Sequence, residues 1–97
     1  MDDLLFSWDE AKNISNQQKH GISFETAAQV FRDPSHLSVQ DRVEDGEERW
    51  QTLGLVGEIV VLLVAHTVRE VDDVKEEIRI ISARKATRLE RSRYEES

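Results

Sequence analysis

The chain contains no cysteine, which removes both a disulfide framework and any thiolate metal site and makes a reducing, intracellular compartment the natural expectation. Little in it could cross a membrane. The longest unbroken apolar run, residues 59–65, is about a third of the roughly 20 residues a spanning helix needs. Asp2 and Asp3 stand where a signal peptide would carry basic residues, so a soluble cytoplasmic protein is expected. His20, His36 and His66 are scattered, and no His or Asp/Glu pair has the spacing of a known ligand motif, so no metal is expected. There is no Gly-rich phosphate loop and no serine-centred nucleophile elbow, no internal repeat and no low-complexity segment; no cofactor is implied.

What is present amounts to one small domain: 97 residues with 38% hydrophobic content can build a single core but not two. The net charge of −7 argues against nucleic acid as a partner, since phosphate binding needs cations. The charge is segregated, however. Residues 41–48 carry five acids against Arg42, residues 70–77 carry five against Lys75, and residues 78–93 carry six cations against Glu90. A local basic surface can hold a phosphate chain while the acidic remainder favours a basic protein partner.

A short strand is predicted at Leu4-Leu5-Phe6, followed by a helix capped by Asp9 that runs to about His20 and stops at Gly21. Only Ala11 and Ile14 are apolar in that helix, so Lys12, Asn13, Asn16 and Gln17 need solvent or a partner. A second helix, capped by Ser23 with Ile22 stapled to Ala27, presents Phe24, Ala27, Ala28 and Phe31 as its core face and ends at Asp33-Pro34. The period then changes to two from Leu37 and Val39. An acidic loop over residues 42–48, a strand over 49–55, a hairpin at Val56-Gly57-Glu58, a central strand over 59–68 and a second acidic loop over 70–76 follow. Residues 95–97 read as frayed. The order β-α-α-β-β-β-β-α defines an α+β domain in which helices back a small antiparallel meander.

Residues 77–87 are expected to turn from strand into helix, with β-branched residues up to Ile81, Ser82 as N-cap and helix formers from Ala83. Arg84 and Lys85 would then lie in the first helical turn, where the macrodipole disfavours cations unless an anion is bound. With Arg79 on the preceding strand they would make a phosphate site. A solvated basic face fits the same residues. Lys, His, Glu and Arg at element ends can also cleave RNA without metal: one group takes the 2′-OH proton, cations stabilise the phosphorane-like charge, and an acid protonates the leaving oxygen.

Four segments in this order, Phe6-Ser7-Trp8-Asp9-Glu10-Ala11-Lys12-Asn13, Lys19-His20-Gly21-Ile22-Ser23-Phe24-Glu25, Val30-Phe31-Arg32-Asp33-Pro34 and Ile78-Arg79-Ile80-Ile81-Ser82-Ala83-Arg84-Lys85-Ala86, resemble the BrnT family of toxins. Gly46-Glu47 with Arg49, Arg69, Glu90 and Tyr94 extend the likeness over nearly the whole chain. The resemblance implies a single RelE-like toxin domain over residues 1–97, a cytoplasmic metal-independent endoribonuclease whose helices back a sheet with an RNA-binding open face. It also implies a BrnA-type antitoxin as partner, a hetero-oligomer with it, and contact with operator DNA only through that antitoxin. Carried over, it points to Lys19, His20, Glu47, Arg69 and Arg84 as catalytic and to Arg49, Arg79 and Lys85 as RNA phosphate contacts. Arg69, Arg79 and Arg84 would grip the scissile phosphate. His20 or Glu47 would be the base, and Lys19 would stabilise charge or help protonate the leaving oxygen.

Plainer roles remain open for the same residues. Lys19 and His20 would also suit a helix terminus, Glu47 would also pair with Arg49, and Arg79 and Arg84 would also pair with Glu77 or Glu90. His66, in line with Val60, Leu62 and Val64, reads as a core histidine, and Trp8 and Trp50 as packing residues. The acidic run over residues 70–77 suits an antitoxin docking edge better than an RNA surface, so the alternative function is a catalytically weak RelE-like protein that binds the antitoxin and tunes operon repression.

Overall fold

The computed structural model describes residues 3–57 and 60–97. Asp2, and Glu58 and Ile59 of the expected hairpin and central strand, lie outside the described residues. The chain forms β1 (Asp3–Ser7), α1 (Glu10–His20), α2 (Phe24–Ala27) continued by a 3-10 segment (Ala28–Arg32), then β2 (Leu37–Glu44), β3 (Glu47–Val56), β4 (Val60–Glu70), β5 (Lys75–Lys85) and α3 (Arg88–Glu96). The strands form one sheet in the order β1-β5-β4-β3-β2. Consecutive strands β2 to β5 pair antiparallel, but β1 lies parallel to β5 from Asp3↔Lys75 to Ser7↔Arg79. The sheet is therefore mixed, not wholly antiparallel as expected. A parallel partner needs a long crossover, and the helices and the meander together supply it.

Local signals act at the expected places. Asp9 accepts from the Lys12 N–H, Ser23 accepts from the Thr26 N–H, and Gly21 closes α1 at φ 72°. The core on the helix side of the sheet joins Ile22, Phe24, Ala27 and Val30 to Leu62, Val64, Ile78, Ile80 and Ala83. Phe24, Ala27 and Val30 recur every third residue, the period of a 3-10 helix, so Val30 is buried while Ala28 and Phe31 are only partly covered. The second helix thus departs from the uniform α-helix expected. Close approach of this segment to β3 requires Gly54, where a Cβ would stand 2.6 Å from that of Val30.

The strands run longer than expected, because pairing with a neighbour overrides local composition. The acidic stretch at residues 42–48 is mostly strand, turned by Asp45 (φ 54°) and Gly46 (φ 78°); positive φ at both central residues suits a tight hairpin to strand twist. In the second acidic stretch, Glu70 ends β4 and Lys75 begins β5. The largest departure is in β5. It continues through Ala83, Arg84 and Lys85, which face Val64, Leu63 and Leu62 of β4, so Ser82 is no N-cap. The cap is Thr87, whose side chain accepts from the Glu90 N–H while the Glu90 carboxylate accepts from the Thr87 N–H. Helix propensity at residues 83–86 yields to pairing with β4. That helix also extends to Glu96, beyond the expected fraying point.

α1 attaches by polar groups. Its apolar Ile14 is 51% exposed, whereas Asn13 and Asn16 are 1% and 7% exposed. The Asn16 carboxamide accepts from the Ala83 N–H at 3.1 Å and donates to the Ala83 carbonyl at 2.8 Å and to the Ile22 carbonyl at 2.9 Å. Asn13 Oδ1 accepts from the Phe24 N–H at 2.8 Å, and its amide donates to Glu10 and Glu25. An apolar replacement of Asn16 would strand three buried backbone groups, the Ala83 N–H and the Ala83 and Ile22 carbonyls. Asn16→Leu is expected to lower stability by about 3 kcal/mol and the melting temperature by roughly 15 °C, read by urea and thermal denaturation against the exposed control Gln18→Leu, which should change stability by less than about 0.5 kcal/mol.

Candidate active site

α1 and α2 cover one face of the sheet. On the other, Tyr94 of α3 and Ala86 pack at one end against a small apolar cluster of Leu53, Val61 and Leu63, with Leu37 and Leu55 beside them. Alternation along the strands sets Glu47, Arg49 and Gln51 of β3, Ala65, Thr67 and Arg69 of β4, and Glu77, Arg79 and Ser82 of β5 on the rest of this face. A bulge between Ala65 and His66 keeps both Ser82 and Arg79 on it although they are three residues apart.

Glu47, Thr67, Arg69, Glu77 and Arg79 line a hollow of about 340 Å³ on this face. Arg69 pairs with Glu77 at 2.9 Å, and Arg49 reaches Glu47 at 3.8 Å. Arg49 Nε is buried without a hydrogen-bond partner among the described residues. Arg79 is exposed and in no ion pair among them. Three guanidiniums against two carboxylates leave local positive charge on an otherwise acidic molecule, with unused donors on Arg49 and Arg79. A phosphodiester matches that arrangement.

The other expected site residues lie elsewhere. Lys19 and His20 flank a smaller hollow of about 180 Å³ against Ile81 and Ser82 at the β5 edge, with Lys12, Ser15 and Asn16. Arg84 donates to both oxygens of Glu90 at 2.7 and 2.9 Å, so it ties α3 to β5 instead of opening a helix. Lys85 faces Leu62 across the ladder and lines a hollow with Val60, Val61, Ala86 and Arg91. The structure thus gathers Glu47, Arg49, Arg69 and Arg79, pairs Lys19 with His20, and sets Arg84 and Lys85 apart; no helical first turn unites Arg84 and Lys85 with Arg79. His66 is 2% exposed, a core position.

Sequence reasoning missed Thr67, for which no local signal exists, and assigned Glu77 to Arg79 or Arg84 when its partner is Arg69. It also missed Asp33 as an anchor: its carboxylate accepts from the Leu55 N–H at 2.8 Å, from the Ser35 N–H and from the Tyr94 hydroxyl. Burial alone would raise the Asp33 pKa, but these hydrogen bonds outweigh it and hold the carboxyl below its usual range, while Asp33 raises the Tyr94 phenol to about 12.

A mixed sheet backed by helices on one face, with an arginine-lined hollow on the other, defines a small α+β protein suited to holding an anionic chain. The family described as "Ribonuclease toxin, BrnT, of type II toxin-antitoxin system" matches residues 8–90, and the chain belongs to that family. Among solved structures, the Brucella abortus ribonuclease toxin BrnT, determined at 1.1 Å, aligns with a TM-score of 0.67 at 21% identity, over 89% of this chain and 99% of that one; the likeness is one of fold. No curated protein matches the chain at significant similarity.

The Arg84 hydrogen bonds, with further donors at Thr87, pull the Glu90 pKa from 4.5 to about 2. A depressed carboxylate stabilises the fold above its unfolded pKa, and that contribution is lost as pH falls through the folded value. Stability is therefore expected to drop between about pH 4.5 and pH 2. Glu90→Gln should be less stable than wild type at pH 7 and should show a shallower fall on acidification, read as urea midpoints at pH 7 and pH 3.

Proposed function

We propose that this chain is a metal-independent endoribonuclease that cuts RNA on the open face of its sheet, in a RelE-like arrangement of helices backing strands. The observation that carries this reading is the meeting of Arg49, Arg69 and Arg79 with Glu47 on the uncovered face, drawn from three neighbouring strands. In the proposed reaction a base takes the proton of the 2′-OH, whose oxygen bonds to the adjacent phosphorus while the bond from phosphorus to the 5′-oxygen breaks. A proton passes to that oxygen, leaving a 2′,3′-cyclic phosphate and a 5′-hydroxyl. Arg79 and Arg69 hold the non-bridging oxygens, where charge builds. Glu47, already in the hollow, is the base. Lys19 and His20, on α1 against Ile81 and Ser82 at the β5 edge, would reach the next nucleotide around that edge, with Lys19 or His20 supplying the leaving-group proton. Arg84 acts as a positioning residue through Glu90, and Lys85 stands outside the phosphate grip.

Membership of a type II toxin–antitoxin family implies an antitoxin partner. We take that partner to be BrnA-type, acting in the cytoplasm in a hetero-oligomer that touches operator DNA only through the antitoxin. One observation favours a weaker enzyme that mainly tunes repression: Glu77 and Glu90 already occupy Arg69 and Arg84.

Cleavage of labelled single-stranded RNA in EDTA tests both readings. Wild type should leave 2′,3′-cyclic phosphate ends, and Arg79→Ala should be slower by about 10²–10³-fold, the usual cost of losing one donor to a transition-state oxyanion. Glu77→Gln should raise the rate if its carboxylate restrains Arg69. A wild-type protein inert on RNA yet tightly bound by its antitoxin would instead leave the regulatory reading standing.

A further inference from the structure

Behind the arginine-lined hollow, on the helix side of the same end of the sheet, lies a second hollow of about 310 Å³. Its walls are apolar: Leu4 of β1, Phe31 of the 3-10 segment, Trp50 of β3, Val68 of β4 and Ile78 of β5. Leu4 and Val68 are 36% and 37% exposed, so water meets this surface in the free chain. The polar groups at its base satisfy one another. His66 Nε2 meets Thr52 Oγ1 at 2.7 Å, Thr52 meets Ser38 Oγ at 2.7 Å, and His66 Nδ1 faces the Thr67 carbonyl at 3.3 Å. Burial pushes His66 down to about 4, so its ring is neutral at pH 7.

Glu76 is the only acid lining this hollow, and no lysine or arginine lines it among the described residues. Two acidic hairpin tips stand at the same end of the sheet. Glu44 and Asp45 belong to the β2–β3 turn, closed by Glu44↔Glu47, and Asp72 and Asp73 to the β4–β5 turn, closed by Glu70↔Glu76. An apolar recess with an acidic rim repels RNA phosphates and would set like charges together if a second copy of this chain docked there. It suits a protein segment that carries an apolar side chain flanked by lysine or arginine.

We propose that this hollow is the docking site of the antitoxin, which seats an apolar side chain against Trp50 and Val68 and sets basic residues against Glu76 and the acidic tips. The inference rests on the proposed toxin–antitoxin pairing and adds where the partner holds on. It also supplies a route to inhibition. Trp50, Val68 and Ile78 are chain neighbours of Arg49, Arg69 and Arg79, which point through the sheet to its other face. A segment anchored here that continues around the acidic tips arrives over the RNA hollow.

The test titrates the cognate BrnA-type antitoxin into wild type, Val68→Asp, Glu76→Lys and Arg79→Ala by calorimetry, and assays RNA cleavage with the same preparations. Circular dichroism confirms that each is folded. Val68→Asp and Glu76→Lys should each weaken antitoxin binding by about 30-fold or more, the scale of an interface hot spot, and still cut RNA. Arg79→Ala should lose cleavage and keep antitoxin affinity within about tenfold. Wild-type affinity in both Val68→Asp and Glu76→Lys would overturn the inference, as would an antitoxin that fails to bind wild type, or a wild-type homodimer that Val68→Asp dissociates. If no preparation cuts RNA while the predicted order of affinities holds, the ribonuclease reading fails and the docking site stands.

Discussion

A single carboxamide completes the edge of β5 where β1 no longer reaches it. Pairing with β1 ends at Arg79, yet Ala83, fully buried, still presents an N–H and a carbonyl in that direction, and Asn16 bonds to both. Such groups gain about 1 kcal/mol each when paired and cost more when buried unpaired, so α1 is held at this edge as if it were a strand. One turn earlier, Asn13 takes the Phe24 N–H at the start of α2. The two asparagines fix the helix layer to the sheet and to itself, and they explain how a helix whose Ile14 points to solvent can still be an integral part of the fold. The positions of Lys19 and His20 beside Ser82 follow from that attachment.

Legibility in the sequence follows the range of the interaction concerned. Asp9, Ser23 and Gly21 act on backbone groups within four residues, and all three helix-terminal assignments hold. The apolar character of β4 likewise placed it in the middle of the sheet, and Phe24 and Ala27 in the core. Longer-range effects escaped. Ala83, Arg84 and Lys85 look helical alone but are strand because Leu62, Leu63 and Val64 lie opposite them. The parallel seat of β1 depends on a strand far along the chain. The candidate site was legible as a set of residue types and not as a geometry: which arginines meet is decided by ladder register and by the bulge at Ala65 and His66, and Arg84 is withdrawn by a Glu90 that the Thr87 cap positions.

The two faces of the sheet divide the chemistry between them. One carries guanidiniums with donors to spare, the other an apolar recess with Glu76 in its lining, and only the thickness of one pleated layer separates them. A net charge of −7 therefore coexists with a local positive field at the arginines, because the acids are concentrated at the hairpin tips.

The parallel seat of β1 has a bearing on when the protein can act. Asp3 must wait for Lys75 before the first strand has a neighbour, a contact between residues far apart along the chain that makes closure of the sheet a late event. The arginine-lined hollow draws Glu77 and Arg79 from that same last strand. A nascent or interrupted product that stops short of β5 therefore has neither a completed sheet nor an arginine cluster. A member of a ribonuclease toxin family built in this way cannot assemble that cluster before β5 has emerged and joined the sheet.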